Sequence, residues 1–429
     1  MSKFKPEISI ESYENELIFN ISGSQNYGLD KSIINGLRRI LLTEIPTVAF
    51  KTDESMNKKD IEIINNTSAL HNEMLLQRMS LIPLYINPEK YMKNYLFELK
   101  IIHKNSNPLQ FVTTNDINIY PLLNEIQNRI DNLDDNEDDF EELNSLLNTI
   151  SINNYDMNNP IDQKQKDKIL KPFEFRNQKN YILISELKNT NSEDFKQEIH
   201  LYGSPSVSIG KENARFQPVS CATYSFQIDD ELVESIFQER IMVQNITDET
   251  EIDSFKKKFI LSESEKYYYR DYENEPYKYQ FKIKSCHFSK PHELFMKSID
   301  ILINKLKNFK LSLIEMLKKE DTSISSLKIN EFVYHYTIND EGHTLGNIIQ
   351  SFITRRSIDD KSMIQICGYK KSHPLEESFK LYISLNPNHK IMKETERNRF
   401  QSLTSFLTDQ IDQIHNELKI LKDVSEESF

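Results

Sequence analysis

The sequence predicts an α+β protein built from two related modules in one chain, each a small sheet with a long helix. An α+β domain is inserted in the first module. Three observations predict this. A strand–turn–helix phrase near residue 30 recurs near residue 340. Two long stretches, one closing each module, repeat apolar residues every three or four positions. Between and beside them lie short runs in which apolar and polar residues alternate, the period of a half-buried strand.

The elements follow in order. Residues 16–21, ELIFNI, read as a strand, and the turn-like SGSQNYGLD follows. In KSIINGLRRILLTEIP, residues Ile33, Ile34, Leu37, Ile40 and Leu41 recur at helical spacing. Ser32 is placed to cap this helix and Pro46 to close it. Far downstream, NEFVYHYTI reads as a strand and NDEGH as a turn. Leu345, Ile348, Ile349, Phe352 and Ile353 then mark a helix with Thr344 as N-cap. Asp340 and Glu341 suit its positive end. At an offset of 312 residues, Ser32 falls on Thr344, Asn35 on Asn347, Leu37 on Ile349 and Ile40 on Phe352. The chain therefore carries an internal pseudo-repeat.

Each copy owns a long helix. The first carries Phe295, Ile299, Leu302, Leu306, Phe309, Leu313 and Met316. The second carries Phe400, Leu403, Leu407, Ile411, Ile414, Leu418 and Leu421. These seams are expected to face each other within the chain; the alternative is a coiled-coil adaptor that offers them to another protein. EDTSISSL, residues 320–327, reads as a linker. SMIQICGY and SFKLYISL read as strands joined through Ser372-His373-Pro374.

The expected boundaries are 1–47 with 276–319 for the first module, 48–227 for the insertion, 228–275 for a charged, Tyr-rich extension, and 328–429 for the second module. In the insertion, ALHNEMLLQRMSLIPL reads as a helix, and KNYILISEL and EIHLYGS as strands. The acidic run 131–142 reads as a solvated helix or loop, and SINNYDMNNPIDQKQKDK as a partly disordered segment. GKENARFQPVSCATYSFQI rejoins the core.

Composition excludes several functions. Net charge is −13 with no basic stripe, which disfavours a free-standing nucleic-acid binder. Three scattered cysteines, Cys221, Cys286 and Cys367, provide neither a disulfide framework nor a thiolate metal site, so no metal and no cofactor is expected. No apolar run spans a bilayer and no signal-peptide core opens the sequence, so a soluble, non-secreted protein is expected. Only 8 of 429 residues are glycine, amid abundant Asn, Ile, Lys and Asp, a skew that fits A+T-rich coding. The surviving glycines should mark positive φ or close approach.

The phrase EGHTLGN, residues 341–347, could suggest a phosphate loop and hence a nucleotide-binding enzyme. Carboxylates beside it and the lack of a lysine argue against that. His343 has no second ligand at i+3 or i+4. The favoured reading is structural: His343 and Thr344 satisfy the helix start, and Gly346 admits another helix. Arg38 and Arg39 are either solvated charges or a grip for a partner's carboxylates or carbonyls. His71 and Glu73 read as helix capping. YYYRDYENEPYKYQ is too acidic for a stacking platform and reads as a strand or partner surface.

At these motifs the chain resembles a family. NGLRRILLTEIPTVAF, NNTSALHNEMLLQRMSLIPL and ENARFQPVS, then DEGHTLGNIIQSF and GYKKSHPLEESFKLYI, stand in the order found in the two α-like subunits of multisubunit DNA-directed RNA polymerases. The chain looks like a fusion of the third-largest subunit with the small eleventh subunit, of the kind carried by large cytoplasmic DNA viruses. The resemblance implies two α-like dimerisation modules that pair within the chain in place of a heterodimer. It implies a non-catalytic assembly platform for the two largest polymerase subunits, with small subunits alongside. Template DNA would be reached only through the complex, and no membrane is implied. A viral source implies the virion and host cytoplasm; a cellular one implies the nucleus.

Asn35, Leu37, Arg38 and Arg39 match the helix motif that supports dimerisation and large-subunit contact, and Phe216 and Pro218 fall in ENARFQPVS, a second partner-facing motif. Thr344, Leu345, Gly346 and Asn347 match the eleventh subunit's helix start. With Ile33, Ile40, Leu41, Ile349, Phe352, Leu306, Leu313, Leu407 and Ile414 they make the expected pairing surface. Gln350 departs from the family's usual Arg. The cysteine cluster of many third-largest subunits is missing, as is the DNA-binding domain appended to bacterial α, so promoter contact is not expected.

Overall fold

In this computed structural model, residues 4–13, 16–24, 29–52, 60–104, 108–134, 140–189, 196–246, 248–318, 332–357 and 362–429 are described. The expected linker 320–327 and residues 135–139 of the acidic run lie outside them. The chain divides into two compact units. One comprises Met1–Glu44, Val219–Lys284 and Pro291–Phe429; the other comprises Ile45–Pro218 and Ser285–Lys290.

The first unit holds both copies of the repeat. Its elements, in chain order, are β1 (Glu7–Tyr13), β2 (Leu17–Ser22), α1 (Lys31–Thr43), β3 (Val219–Phe226), α2 (Asp230–Gln244), α3 (Glu249–Glu263), β4 (Lys278–Ser285) and α4 (Pro291–Leu317). Then follow β5 (Val333–Asn339), α5 (His343–Ser357), β6 (Ile364–Lys370), β7 (Ser378–Leu385) and α6 (Glu396–Ser428). The first sheet has the order β1-β2-β4-β3, and the second β5-β7-β6. Without β1 the two orders correspond strand for strand, and in each a helix follows the first strand and a long helix the last. The second unit enters between α1 and β3, where the second module has only residues 358–363. The pair α2–α3 enters between β3 and β4, where the second module has a short turn.

Alternation explains the burial. On β2, Leu17, Phe19 and Ile21 are buried; on β4, Tyr279, Phe281 and Ile283. Phe19 sits opposite Phe281 in register, and both rings meet Phe295 of α4. In the second module, Tyr334, Tyr336 and Ile338 of β5 face inward with Phe379, Leu381 and Ile383 of β7. Tyr336 stacks on Phe400 of α6.

In the second unit, strands 61–66, 198–203, 95–102 and 117–121 form one antiparallel sheet in that order. One face covers a core with Leu75, Met79 and Leu84; the other packs Leu96, Tyr120 and Leu122 against helices 124–134 and 140–149 through Ile130 and Leu143.

Several expectations need correction. The strand 219–226, assigned to the insertion, pairs in the first module's sheet, so the chain leaves the second unit at Pro218. Residues 228–275 are chiefly two helices that pack through Phe237, Phe255 and Phe259. Segment 151–168, expected to be partly disordered, folds into a 3-10 turn at 152–154 and a helix at 163–169, with Tyr155 and Lys166 buried. Strand β1 was not foreseen. Among the described glycines none has positive φ. Lys93, Arg176, Asn177, Asn245, Asn274 and Asp340 take that conformation instead. Asn and Asp tolerate it because their short side chains bond locally.

Glycine marks close approach instead. A Cβ on Gly36 would lie 2.8 Å from Ile348 Cδ1 on α5. Gly346, expected to admit another helix, faces its own module: its added Cβ would meet the Tyr369 ring of β6 at 2.7 Å. Gly36→Val is expected to destabilise the chain by about 1–3 kcal/mol through overpacking, measured by urea unfolding. Trimming Ile348 to Ala in the same chain should recover part of that loss.

Candidate functional site: the paired helices and the outer face of α1

The 312-residue offset places Gly36 on Ile348, and these two residues touch. A residue in contact with its own counterpart lies on a two-fold axis, here a pseudo-axis within one chain. Around it α1 and α5 run past each other in opposite directions. The start of α1 meets the end of α5: Asp30 accepts from Ser351 Oγ at 2.8 Å and from Arg355 at 3.4 Å. At the other end Lys305 of α4 bridges Glu44, at the end of α1, and Glu341, just before α5, each at 2.9 Å.

The cap of α1 is Asp30, whose Oδ1 accepts from the Ser32 N–H at 2.7 Å; Ser32 is the second residue of the helix. Likewise α5 starts at His343, so Thr344 sits within its first turn and is not the N-cap. His343 Nδ1 is 3.3 Å from the Tyr369 hydroxyl. In the second unit His71 stands at an N-cap position, but its side chain makes no cap bond.

The long helices α4 and α6 also pair. Lys310 bonds Asp412 at 2.7 Å and Lys422 bonds Asp300 at 2.6 Å. Ten residues back along α4 correspond to ten forward along α6, so the helices are antiparallel. Leu306, Leu313, Leu407 and Ile414 are buried in this layer, and Ile33, Ile40, Leu41, Leu345, Ile349 and Phe352 in the core around α1 and α5. Thr344 is half-buried and Gly346 buried. Asn347 is exposed and its side chain makes no hydrogen bond among the described residues, so it contributes nothing visible to the pairing.

The six residues expected to face a partner divide. Arg39 is exposed, and Asn35 and Arg38 are half-buried. Asn35 Oδ1 accepts two hydrogen bonds from Arg38, at 3.0 and 2.9 Å, which fixes the guanidinium plane. Among the described residues no carboxylate pairs with either arginine. Leu37, Phe216 and Pro218 are buried, which corrects their assignment as contact residues. Leu37 is core. Phe216 closes a 3-10 turn in the second unit, its carbonyl accepting from Thr47 Oγ1 at 2.7 Å; the Pro218 carbonyl accepts from the Cys286 N–H at 3.0 Å.

Two polar groups in this site lay beyond sequence reasoning, Lys305 and Arg355. Both sit on helices whose apolar stripe gave no hint of which charges would meet carboxylates. Burial works against the Lys305 ammonium, but Glu341 and Glu44 outweigh it and hold its pKa above the ordinary lysine value of 10.5. A raised lysine stabilises the fold fully below its unfolded pKa and loses that contribution as pH climbs through the folded value. Lys305→Met should therefore cost about 2 kcal/mol at neutral pH, between the surface and buried limits. In thermal unfolding, the wild-type advantage should be flat below pH 10.5 and shrink above it.

Among the described residues, no group of three or more His, Cys, Asp or Glu could hold a metal, and no helix is long and apolar enough to cross a membrane. The site is an interface. Comparison with known proteins agrees with that reading. Residues 25–306 match a family model described as the RNA polymerase Rpb3/Rpb11 dimerisation domain, and residues 334–423 match a second of the same description. DNA-directed RNA polymerases I and III subunit rpac1 of Dictyostelium discoideum is 41% identical over 88 residues, 20% of this chain and 21% of that protein. Human RPAC1 is 26% identical over 223 residues, 52% of this chain and 54% of its own length. Subunit Rpo3 of Pyrobaculum arsenaticum is 39% identical over 57 residues, 13% of this chain and 19% of its own. The chain thus spans about half of the human relative and about a fifth of the other two. The first family match covers more than half of the chain, the second the other module, and the two modules pair about a pseudo-two-fold axis: the chain belongs to the Rpb3/Rpb11 dimerisation-domain family of RNA polymerase.

Proposed function

We propose that the chain is a non-catalytic subunit of a DNA-directed RNA polymerase, the platform on which the two largest, catalytic subunits assemble. Small polymerase subunits dock alongside, and template DNA is met only through the complex. The observation that carries this reading is the pairing of two dimerisation domains within one polypeptide, with Arg38 and Arg39 beside it meeting no carboxylate among the described residues. A guanidinium held by Asn35 is preorganised for a carboxylate or a row of carbonyls.

The platform is two-fold in backbone and not in chemistry. Where α1 has Arg38, α5 has Gln350. Two unlike faces on one pseudo-symmetric body suit two unlike large partners. Fusion makes the pairing intramolecular and fixes its stoichiometry. The coiled-coil adaptor loses its basis, because the seam residues other than the half-buried Met316 are buried inside the chain.

The single-chain arrangement and the glycine-poor, Asn-rich composition support a large cytoplasmic DNA virus as the source. That source would place the chain in virions and host cytoplasm; a cellular one would place it in the nucleus.

Co-expression with the second-largest subunit should give a stable binary complex in size-exclusion chromatography. Arg38→Glu with Arg39→Glu should weaken it about 10-fold or more while thermal stability moves by less than about 0.5 kcal/mol. Unchanged co-elution of that double variant would contradict the assignment of this face.

A further inference from the structure

The extension between β3 and β4 has no counterpart in the second module, and one group ties it there. Arg355, on the last turns of α5, is mostly buried. Its Nη2 donates to Asp271 at 2.6 Å and its Nε to Glu273 at 2.9 Å, both in the segment after α3; its Nη1 lies 3.4 Å from Asp30. Two of the three acceptors are themselves built in, while Glu273 is exposed. Asp30 is 2% exposed and holds the N-cap of α1 with its other oxygen. Asp271 has a side chain 6% exposed and accepts from the backbone N–H groups of Glu273 and Glu275 at 3.0 Å. Lys31 pairs with Glu275 at 2.7 Å and ties the same segment to the start of α1. The single O–H of Tyr279 lies between the carbonyls of Leu29 and Pro276, at 2.9 and 2.7 Å, which joins the two stretches of chain that carry the acids.

We infer that residues 264–276 and Asp30 form an anionic socket for Arg355, and that this socket locks the second module onto the first and selects for unlike pairing. The pseudo-symmetry supplies the argument. At the 312-residue offset the counterpart of Arg355 is Thr43, and that of Asp30 is Gly342. Two second modules brought together would bury two arginines against glycine, with neither Asp30 nor the extension present. A buried charge deprived of its partner is strongly unfavourable, so a pair of second modules is penalised and the unlike pair gives Arg355 its acceptors. Burial opposes the guanidinium, yet Glu273, Asp30 and Asp271 outweigh that and keep its pKa above the ordinary arginine value, so the lock stays charged at any physiological pH. The inference stands apart from the polymerase assignment, because its test lies wholly within the chain.

Hydrogen exchange of the intact chain, read by mass spectrometry, tests it. Arg355→Gln should speed exchange about 100-fold in both 343–357 and 264–276, leaving strand 378–385 protected. The remaining exchange in those two segments should lose the salt dependence it has in the wild type between about 0.05 and 0.5 M salt, whereas a mere packing role would leave that dependence in place. Arg355→Lys should recover part of the protection. Asp271→Asn with Glu273→Gln should loosen 343–357 as well, although that helix is untouched. Wild-type exchange in 343–357 for the double variant, or in 264–276 for Arg355→Gln, would overturn the inference.

Discussion

Where α1 crosses α5, the Ile348 methyl occupies the volume that any Cβ on residue 36 would fill. That approach is possible because residue 36 is one of the few glycines this composition retains. It brings two copies of one strand–turn–helix unit onto a shared pseudo-axis, and the remaining pairing contacts follow from the position of that axis. The helix starts then reach the opposite helix ends, where Asp30, Ser351 and Arg355 meet on one side and Glu44, Lys305 and Glu341 on the other. The sheets lie behind the crossing helices, and the long helices close over the pair.

Two kinds of interaction divide the work. Each large apolar side chain buried in the paired layers contributes about 1.5–3 kcal/mol, and many do. The half-exposed pairs Lys310–Asp412 and Lys422–Asp300 contribute less than about 1 kcal/mol each. Packing therefore holds the modules together, and charges set direction and partner. Asp30, Asp271, Arg355 and Lys305, whose side chains are each less than a fifth exposed, meet at the ends of the crossing helices, where a slip or a like pairing would strand them. Both large additions to the first module are inserted between elements of the repeat and not within them, which is why a shared pairing geometry survives in modules of such different size.

Much of this was legible in the sequence. The repeat showed because a pairing helix needs the same apolar positions in each copy, and the long seams showed because their period is sustained over many turns. Other features depend on where chain segments meet. Ser32 and Thr344 looked like caps, but the turn entering α1 places Asp30 at the cap, and α5 begins one residue earlier than Thr344. The stretch ending in SCATYSFQI could be read as rejoining the core, but not as the strand that closes the first module's sheet. Helices α2 and α3 escaped notice because their apolar residues are scattered round the helix: Phe237 and Phe259 face inward while Met242, Val243 and Leu261 are exposed. Strand β1 is mostly exposed, and its alternation is short, Ile8 and Ile10 between Glu7, Ser9 and Glu11. Leu37, Phe216 and Pro218 carry a family motif because they build the core. In the candidate site, Arg38 and Arg39 could be read as available cations, whereas Arg355 could not be read at all, since its three acceptors come from distant stretches of the chain.

The central claim is that the two modules of one polypeptide pair with each other. Carbodiimide joins a lysine to a carboxylate only where the two are in contact, so it reports ion pairs directly. Treated dilute and analysed by peptide mass spectrometry, the monomer-mass band should contain Lys310 joined to Asp412 and Lys422 joined to Asp300. In a mixture of isotopically light and heavy chains, each linked product should be wholly light or wholly heavy. Mixed light–heavy products, or these links confined to dimer-mass species, would contradict the account.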